Sequence, residues 1–181
     1  MKTLKQHLKL RHLDTRLHGV WIDEFERVAT FPLWNLSGQL SGFQQYRPGS
    51  SKDKKNDITG RYYTFRGDKL LPRKCKTVSV WGLESWHLSD VLFVTEGVFD
   101  AARLTESGIS AVALLANNPC IDTRNWLEIV GRNRKVVSVC DSDSAGRYLA
   151  TVSPYTHKVE EFNDLGDASD EYVQDLVCKF C

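Results

Sequence analysis

The sequence predicts an α/β domain with a mostly parallel sheet, preceded by a smaller, basic lobe of mixed α+β structure. Three observations lead there. After residue 90, short apolar runs alternate with helical patterns, the signature of strand–helix–strand units. Before it, polar segments punctuated by Gly, Ser and Pro suggest hairpins. Charge divides at the same place: residues 1–90 hold 16 Lys+Arg and 9 Asp+Glu, residues 91–181 hold 8 and 14. The formal net charge of +1 conceals a balance of +7 against −6. The expected domain limits are 1–87 and 88–181. Composition is that of a folded chain, with 41% hydrophobic and 26% charged residues, which excludes wholesale disorder.

The elements follow in order. Leu4, Leu8, Leu13 and Leu17 fall at roughly helical spacing with Lys and Arg between them, so an amphipathic helix is expected over 2–17, ending near Gly19. Trp21, Ile22, Phe25 and Val28 suggest a second short helix. PLWNLSGQLSGFQQYRP reads as a hairpin with turns at Ser37-Gly38 and Ser41-Gly42. Residues 48–57 are polar and charged and read as a mobile loop. ITGRYYTFRGDKLL suggests a further hairpin turning at Gly67-Asp68. Strands are then expected at 91–95, 111–115, 135–140 and 157–162. Helices are expected near 98–107, 121–130, from Ala145, and over 168–177.

In such a sheet, ligands bind beyond the carboxyl ends of the strands. The acidic residues fall there. Glu96 follows VLFVT, with Gly97 next. Asp141 and Asp143 follow KVVSVC, and Ser142 between them lets both carboxylates share one side of an extended segment. Asp167 and Asp170 follow the fourth strand. Converging carboxylates repel unless a cation lies among them. A hard divalent ion such as Mg2+ takes carboxylate oxygens and leaves positions for substrate phosphates. Asp143 also suits a helix cap, a purely structural role.

VLFVTEGVFDAARLTESGISAVALL followed by VVSVCDSDSAGRYLA resembles the Rossmann-like TOPRIM domain, shared by bacterial-type primases, topoisomerases and some small nucleases. The match covers roughly residues 88–175 and looks nearest to DnaG-type and phage primases. Glu96-Gly97-Val98-Phe99-Asp100 resembles the primase E-G-x-x-D, which adds Asp100 to the candidate ligands. Asp141-Ser142-Asp143-Ser144-Ala145-Gly146-Arg147 resembles D-x-D-x-A-G-R. Gly166-Asp167 resembles G-K-D without its Lys, so Asp167 and Asp170 both remain candidates for the further acid. Upstream, Gly42-Phe43-Gln44 with Tyr46-Arg47 resembles the primase G-F-x-x-R strand, Arg61-Tyr62-Tyr63 the K-Y segment, and Trp81-Gly82-Leu83 the L-x-G-L before the domain.

The resemblance implies a primase-like nucleotidyltransferase that makes short RNA on a single-stranded DNA template from nucleoside triphosphates. Glu96, Asp141 and Asp143 would be catalytic, and with Asp100, Asp167 and Asp170 would hold Mg2+ or Mn2+; Glu96 also suits a general acid/base role. Arg47, Lys52, Lys54, Lys55, Arg61, Arg66 and Arg147 are the candidate nucleic-acid or nucleotide contacts, interleaved with aromatic residues able to stack on bases. Two other readings use the same residues: a metal-dependent nuclease, and a non-catalytic nucleic-acid-binding subunit of a replication complex. The primases' zinc domain and helicase region have no counterpart here, so a separately encoded helicase or zinc-bearing protein is an expected partner. Cys178 and Cys181 supply only two of the four ligands a structural zinc site needs. His7, His12 and His18 read as surface or packing residues. No signal peptide or membrane span is legible. Five scattered cysteines point to a reducing compartment, and the expected location is the cytoplasm of a bacterium or phage-infected host.

Overall fold

The computed structural model describes residues 2–54, 57–67, 78–116, 118–141, 146–162 and 164–181, with Gly146 and Arg147 described by backbone alone. The chain divides into two units. One comprises Met1–Leu10 and Asp14–Trp81, the other Arg11–Leu13 and Gly82–Cys181. No helix among the described residues is long and apolar enough to cross a membrane.

The first unit opens with α1 (Leu4–Leu10), shorter than the 2–17 expected. Its start is doubly capped. Thr3 and Gln6 exchange side-chain and backbone hydrogen bonds, and the Glu24 carboxylate accepts from the Leu4 and Lys5 N–H groups at 2.7 and 2.9 Å. These bonds satisfy donors that a helix start leaves orphaned. The helix stops because His12 takes a left-handed φ of 59° and the Asp14 carboxylate accepts from Arg16 and Leu17 N–H in a turn.

The expected second helix is instead a hairpin. β1 (Trp21–Asp23) pairs antiparallel with β2 (Val28–Trp34). Asp23 accepts from Glu26 N–H, and Arg27 closes the turn at φ 52°. Two of the apolar residues that suggested a helix are not core, Trp21 being 74% and Phe25 93% exposed, whereas Val28 is buried at the start of β2. β3 (Leu40–Tyr46) and β4 (Tyr62–Arg66) complete the antiparallel order β1-β2-β3-β4. The turn at Ser37-Gly38 forms, held by Asn35 Oδ1 accepting from Ser37 and Gln39 N–H. Ser41-Gly42 is no turn but part of β3, with Gly42 paired to Leu33 and Arg66 and Ser41 at a register shift. The second half of the Gly67-Asp68 hairpin lies outside the described residues. The core packs Leu4 and Leu8 with Phe31, Leu33, Tyr46 and Trp81, all buried. His18 is a core residue too, its ring 4.2 Å from that of Trp81.

The second unit is the expected parallel sheet. β5 (Val91–Thr95), β6 (Ser110–Ala113), β7 (Lys135–Cys140) and β8 (Tyr155–Lys158) stand in the order β6-β5-β7-β8, all parallel. Five helices or turns of helix connect and close it. They are α2 (Val98–Glu106), α3 (Ile121–Gly131), α4 (Gly146–Leu149) with a 3-10 turn after it, a second 3-10 turn at Leu165–Asp167, and α5 (Asp170–Phe180). β5 is buried along its whole length, as a strand covered on both faces should be. β8 begins two residues before the expected 157. It is an edge strand with mostly exposed side chains, so it lacks the apolar signature. The step from β5 to β6 leads one way across the sheet and β7 lies on the other side of β5. The carboxyl ends of β5 and β7 therefore flank the topological switch point, where open α/β sheets bind ligands.

Candidate active site at the carboxyl ends of the parallel strands

β5 and β7 pair in register, Val94 opposite Ser138. Two residues further on, Glu96 comes level with Cys140, and Asp141 is next. The chain after β5 is held firmly. Leu114 and Leu115 N–H donate to the Thr95 and Glu96 carbonyls at 3.0 Å each, and the Thr95 hydroxyl donates to Gly97 O. Gly97 caps α2, which places Asp100 in the helix's first turn, where a carboxylate gains from the helix dipole.

Asp100 is the centre of the site. Its residue is only 7% exposed, and its Oδ1 accepts from Gly166 N–H at 3.0 Å. Its pKa is pushed up from 3.8 to about 7, first by burial and then by the charges of Asp164 and Asp141. The Gly166 hydrogen bond and the Arg11 charge oppose that rise. Two glycines make this closeness possible. A Cβ on Gly97 would stand 2.7 Å from Asp100 Oδ2. One on Gly166 would stand 3.1–3.2 Å from Arg11 Nη2, Asp164 Oδ1 and Phe99 Cβ. The same field reaches Cys140: burial, then Asp141, then Glu96 raise its thiol to about 11. Asp164 and Asp141 thus act on Asp100, and Asp141 and Glu96 both act on Cys140.

Asp164 and Arg11 were not singled out from the sequence. Arg11 Nη2 lies 3.9 Å from Asp164 Oδ1, and its Nε 3.8 Å from Asp167 Oδ1. Its guanidinium sits 4.3 Å over the Phe99 ring. Asp164 stands two residues before the Gly166 that marked Asp167, a neighbouring signal by which it could have been found. No local signal marks Arg11, which reaches the site from the start of the chain.

The other candidates fall elsewhere. The Asp167 carboxylate pairs with Arg11 and is 53% exposed, while its N–H donates to Asp164 O at 3.3 Å. Asp170, in the first turn of α5, pairs with the buried Arg103. Asp143 and Lys55 lie outside the described residues, and Arg147 is described only as backbone in α4. Among the described residues, no three or more His, Cys, Asp or Glu side chains stand together so that they could hold a metal ion. The donor chemistry nevertheless suits a hard cation: the groups that repel one another around Asp100 are all carboxylates, and a divalent ion relieves that repulsion.

In the first unit the basic candidates separate into two places. Arg47 N–H donates to Arg61 O at 2.9 Å, bringing those residues side by side where β3 leaves the sheet and β4 enters it. Their guanidinium groups donate to neutral oxygens, Arg47 to Gln45 Oε1 and Arg61 to Ser50 O. Lys52 and Lys54 are exposed on the adjoining segment, which Arg61 N–H ties down through Ser51 O. Arg66 lies at the far end of β4, opposite Gly42.

The sequence matches no protein-family model and no curated protein. Its fold matches solved structures throughout. A DnaG catalytic core aligns with a TM-score of 0.67 and 16% identity over 96% of this chain and 72% of that one. The catalytic domain of a DnaG primase bound to single-stranded DNA aligns with a TM-score of 0.60 and 17% identity over 91% and 59%. The primase fragment of the bacteriophage T7 primase-helicase aligns with a TM-score of 0.61 and 17% identity over 92% and 68%. The chain therefore spans between three fifths and three quarters of these neighbours. At such identities the likeness establishes the fold: a TOPRIM-type α/β unit and an antiparallel companion, as in primase catalytic cores.

Proposed function

We propose that the chain is a metal-dependent nucleotidyltransferase of the primase kind, which joins nucleoside triphosphates into short RNA on a single-stranded DNA template. One observation carries the reading: Asp141 acts on the buried Asp100 and, with Glu96, on Cys140, at the switch point of a fold found in primase cores. One of those neighbours is bound to single-stranded DNA.

In this reading Glu96, Asp100, Asp141 and Asp143 hold Mg2+ or Mn2+, with Asp164 beside them. When bound, the cation supplies neutralising charge to a triphosphate and lowers the pKa of an attacking hydroxyl. The chain's own groups do the rest. The Gly166 N–H and Gly97 fix the Asp100 carboxyl. Arg11 offsets part of the acidic charge. Arg47, Arg61, Lys52 and Lys54 offer phosphate contacts, and Tyr62, 36% exposed, offers a ring for stacking. A separately encoded helicase or zinc-bearing protein remains a proposed partner, and the cytoplasm a proposed location.

The test is a gel assay with Mg2+ or Mn2+, single-stranded DNA and four labelled NTPs, run beside an Asp141→Ala, Asp143→Ala double variant. Parallel lanes hold end-labelled RNA and DNA without NTPs. Short new oligonucleotides that vanish in the variant support the proposal. Shortened labelled strands without synthesis replace it with the nuclease reading.

A further inference from the structure

The second unit carries a groove of about 1030 Å3 between α3 and the segment leading into β8, at the amino ends of β7 and β8. It lies at the opposite end of the strands from the acids. Residues 91–181 hold only eight basic residues against 14 acidic ones. Four of the eight, Arg124, Arg132, Arg134 and Lys135, line this one groove, and among the described residues Glu128 is the one acid in its lining. In a unit that is otherwise acidic, so concentrated a positive patch needs an explanation.

Three of these cations rest on neutral oxygens. Arg124 donates to Thr151 Oγ1 at 2.8 Å and to Pro119 O at 3.1 Å. Arg134 donates to Ser110 Oγ and Asp90 O. Lys135 donates to Phe180 O at 2.6 Å. Such bonds fix the groups in place, and at Arg134 the Asp90 charge answers part of the guanidinium's own. Arg132 has only an exposed pairing with Glu128 at 3.3 Å, which is weak. The groove also has an aromatic wall. Tyr155 is 46% exposed, and the Lys135 ammonium lies 5.3 Å from its ring. Fixed cations beside an exposed ring are what a single strand uses, phosphates to the charges and bases to the ring face. A duplex offers phosphates but no free base faces. An acidic peptide would use the charges and leave the ring without a role.

We propose that this groove is a second binding path for single-stranded nucleic acid, remote from the acidic site, with Arg132 and Lys135 contacting phosphates and Tyr155 stacking a base. It rests on the reading of the chain as a protein that handles single strands, and is independent of catalysis.

The test measures anisotropy of a fluorescent 20-nucleotide dT strand in EDTA across a salt series. Arg132→Glu, Tyr155→Ala and Tyr155→Phe are compared with the parent and with Lys9→Glu, a charge-matched change outside the groove. Circular dichroism checks that each variant folds. The expected result is a loss of about tenfold in affinity for Tyr155→Ala and little for Tyr155→Phe. Arg132→Glu should weaken binding and flatten the log–log salt slope by about 0.7 or more, whereas Lys9→Glu should do neither. Groove variants that bind as the parent does, while Arg47→Ala with Arg61→Ala weakens binding, would overturn the groove and leave the primase reading standing. Loss of labelled polyglutamate binding in Arg132→Glu with dT binding unchanged would overturn it too, and make the groove an acidic-peptide site. Failed primer synthesis with groove-dependent binding intact would sink the catalytic reading alone.

Discussion

Asp100 offers the sharpest test of how the acidic site is built. Its folded-state pKa of about 7 stands above the ordinary 3.8 because burial and the charges of Asp164 and Asp141 disfavour the ionised form. Below pH 4 the group is protonated in folded and unfolded chains alike and costs nothing. Between pH 4 and 7 the unfolded chain gives up the proton while the folded one keeps it, so stability falls as pH rises. Above pH 7 both are ionised and the cost is constant. At 1.36 kcal/mol per pH unit that cost is on the order of 4 kcal/mol. Asp100→Asn removes the charge and keeps an oxygen for the Gly166 N–H. The variant should therefore be more stable than the parent at pH 8 by up to about 4 kcal/mol, less whatever the new amide loses for want of a partner. At pH 4 the two should nearly coincide.

The assay is urea unfolding at pH 4 and pH 8 in EDTA, followed by far-ultraviolet circular dichroism. Adding Mg2+ or Mn2+ at pH 8 should then stabilise the parent more than the variant, since only the parent has the charge for the cation to relieve. Equal pH dependence in the two proteins, or a variant weaker at pH 8, would refute the account of Asp100 as a buried, repelled carboxyl.

Four further outcomes follow from the same geometry. Arg11→Ala removes the guanidinium beside Asp164 and Asp167 and over Phe99; a loss of about 1–2 kcal/mol in urea unfolding is expected, larger at pH 8 than at pH 4. Gly166→Ala crowds Arg11, Asp164 and Phe99 at 3.1–3.2 Å and should cost about 1–3 kcal/mol, lowering the thermal midpoint and primer yield together. Arg47→Ala with Arg61→Ala should weaken single-stranded DNA binding and flatten its salt slope by up to about 1.4, read by anisotropy. Asp170→Ala strips the buried Arg103 of a partner; stability should fall while synthesis per folded molecule stays at the parental level, in contrast to Asp141→Ala, which should abolish it.

The parallel sheet was legible because its strands are buried on both faces. VLFVT and KVVSVC are short, mostly apolar runs, and β5 and β7 begin and end where those runs do. β8 was placed two residues late because YTHK at a sheet edge carries mostly exposed side chains. The opening of the chain was misread for a related reason. Trp21 and Phe25 look like core residues but are exposed, and a three-residue strand has too few positions to show alternation. The capping of α1 by Glu24 is a contact twenty residues away that no local pattern announces. At the site, Glu96 and Asp141 follow directly from strand ends, and Asp100 only from the resemblance of Glu96-Gly97-Val98-Phe99-Asp100 to the primase E-G-x-x-D. Asp164 does not, because a 3-10 turn rather than a strand end positions it.

Arg11 explains how such a site folds without depending on a cation. Two carboxylates near a buried third would leave Asp100 dearer still to ionise, and the strands that carry them would be strained at their ends. The guanidinium belongs to the same unit through Arg11–Leu13, although the chain enters it only briefly there. It opposes the rise at Asp100 from 3.9 Å off Asp164, near enough to screen one acid and too far to replace a bound ion. Phe99 holds it from below, and Gly166 leaves room for it. A shorter side chain at position 11 would remove that screening, and a carboxylate there would add to the repulsion. The acids stay together in the folded chain because part of their charge is answered by the protein itself. The remainder is what a divalent cation would answer.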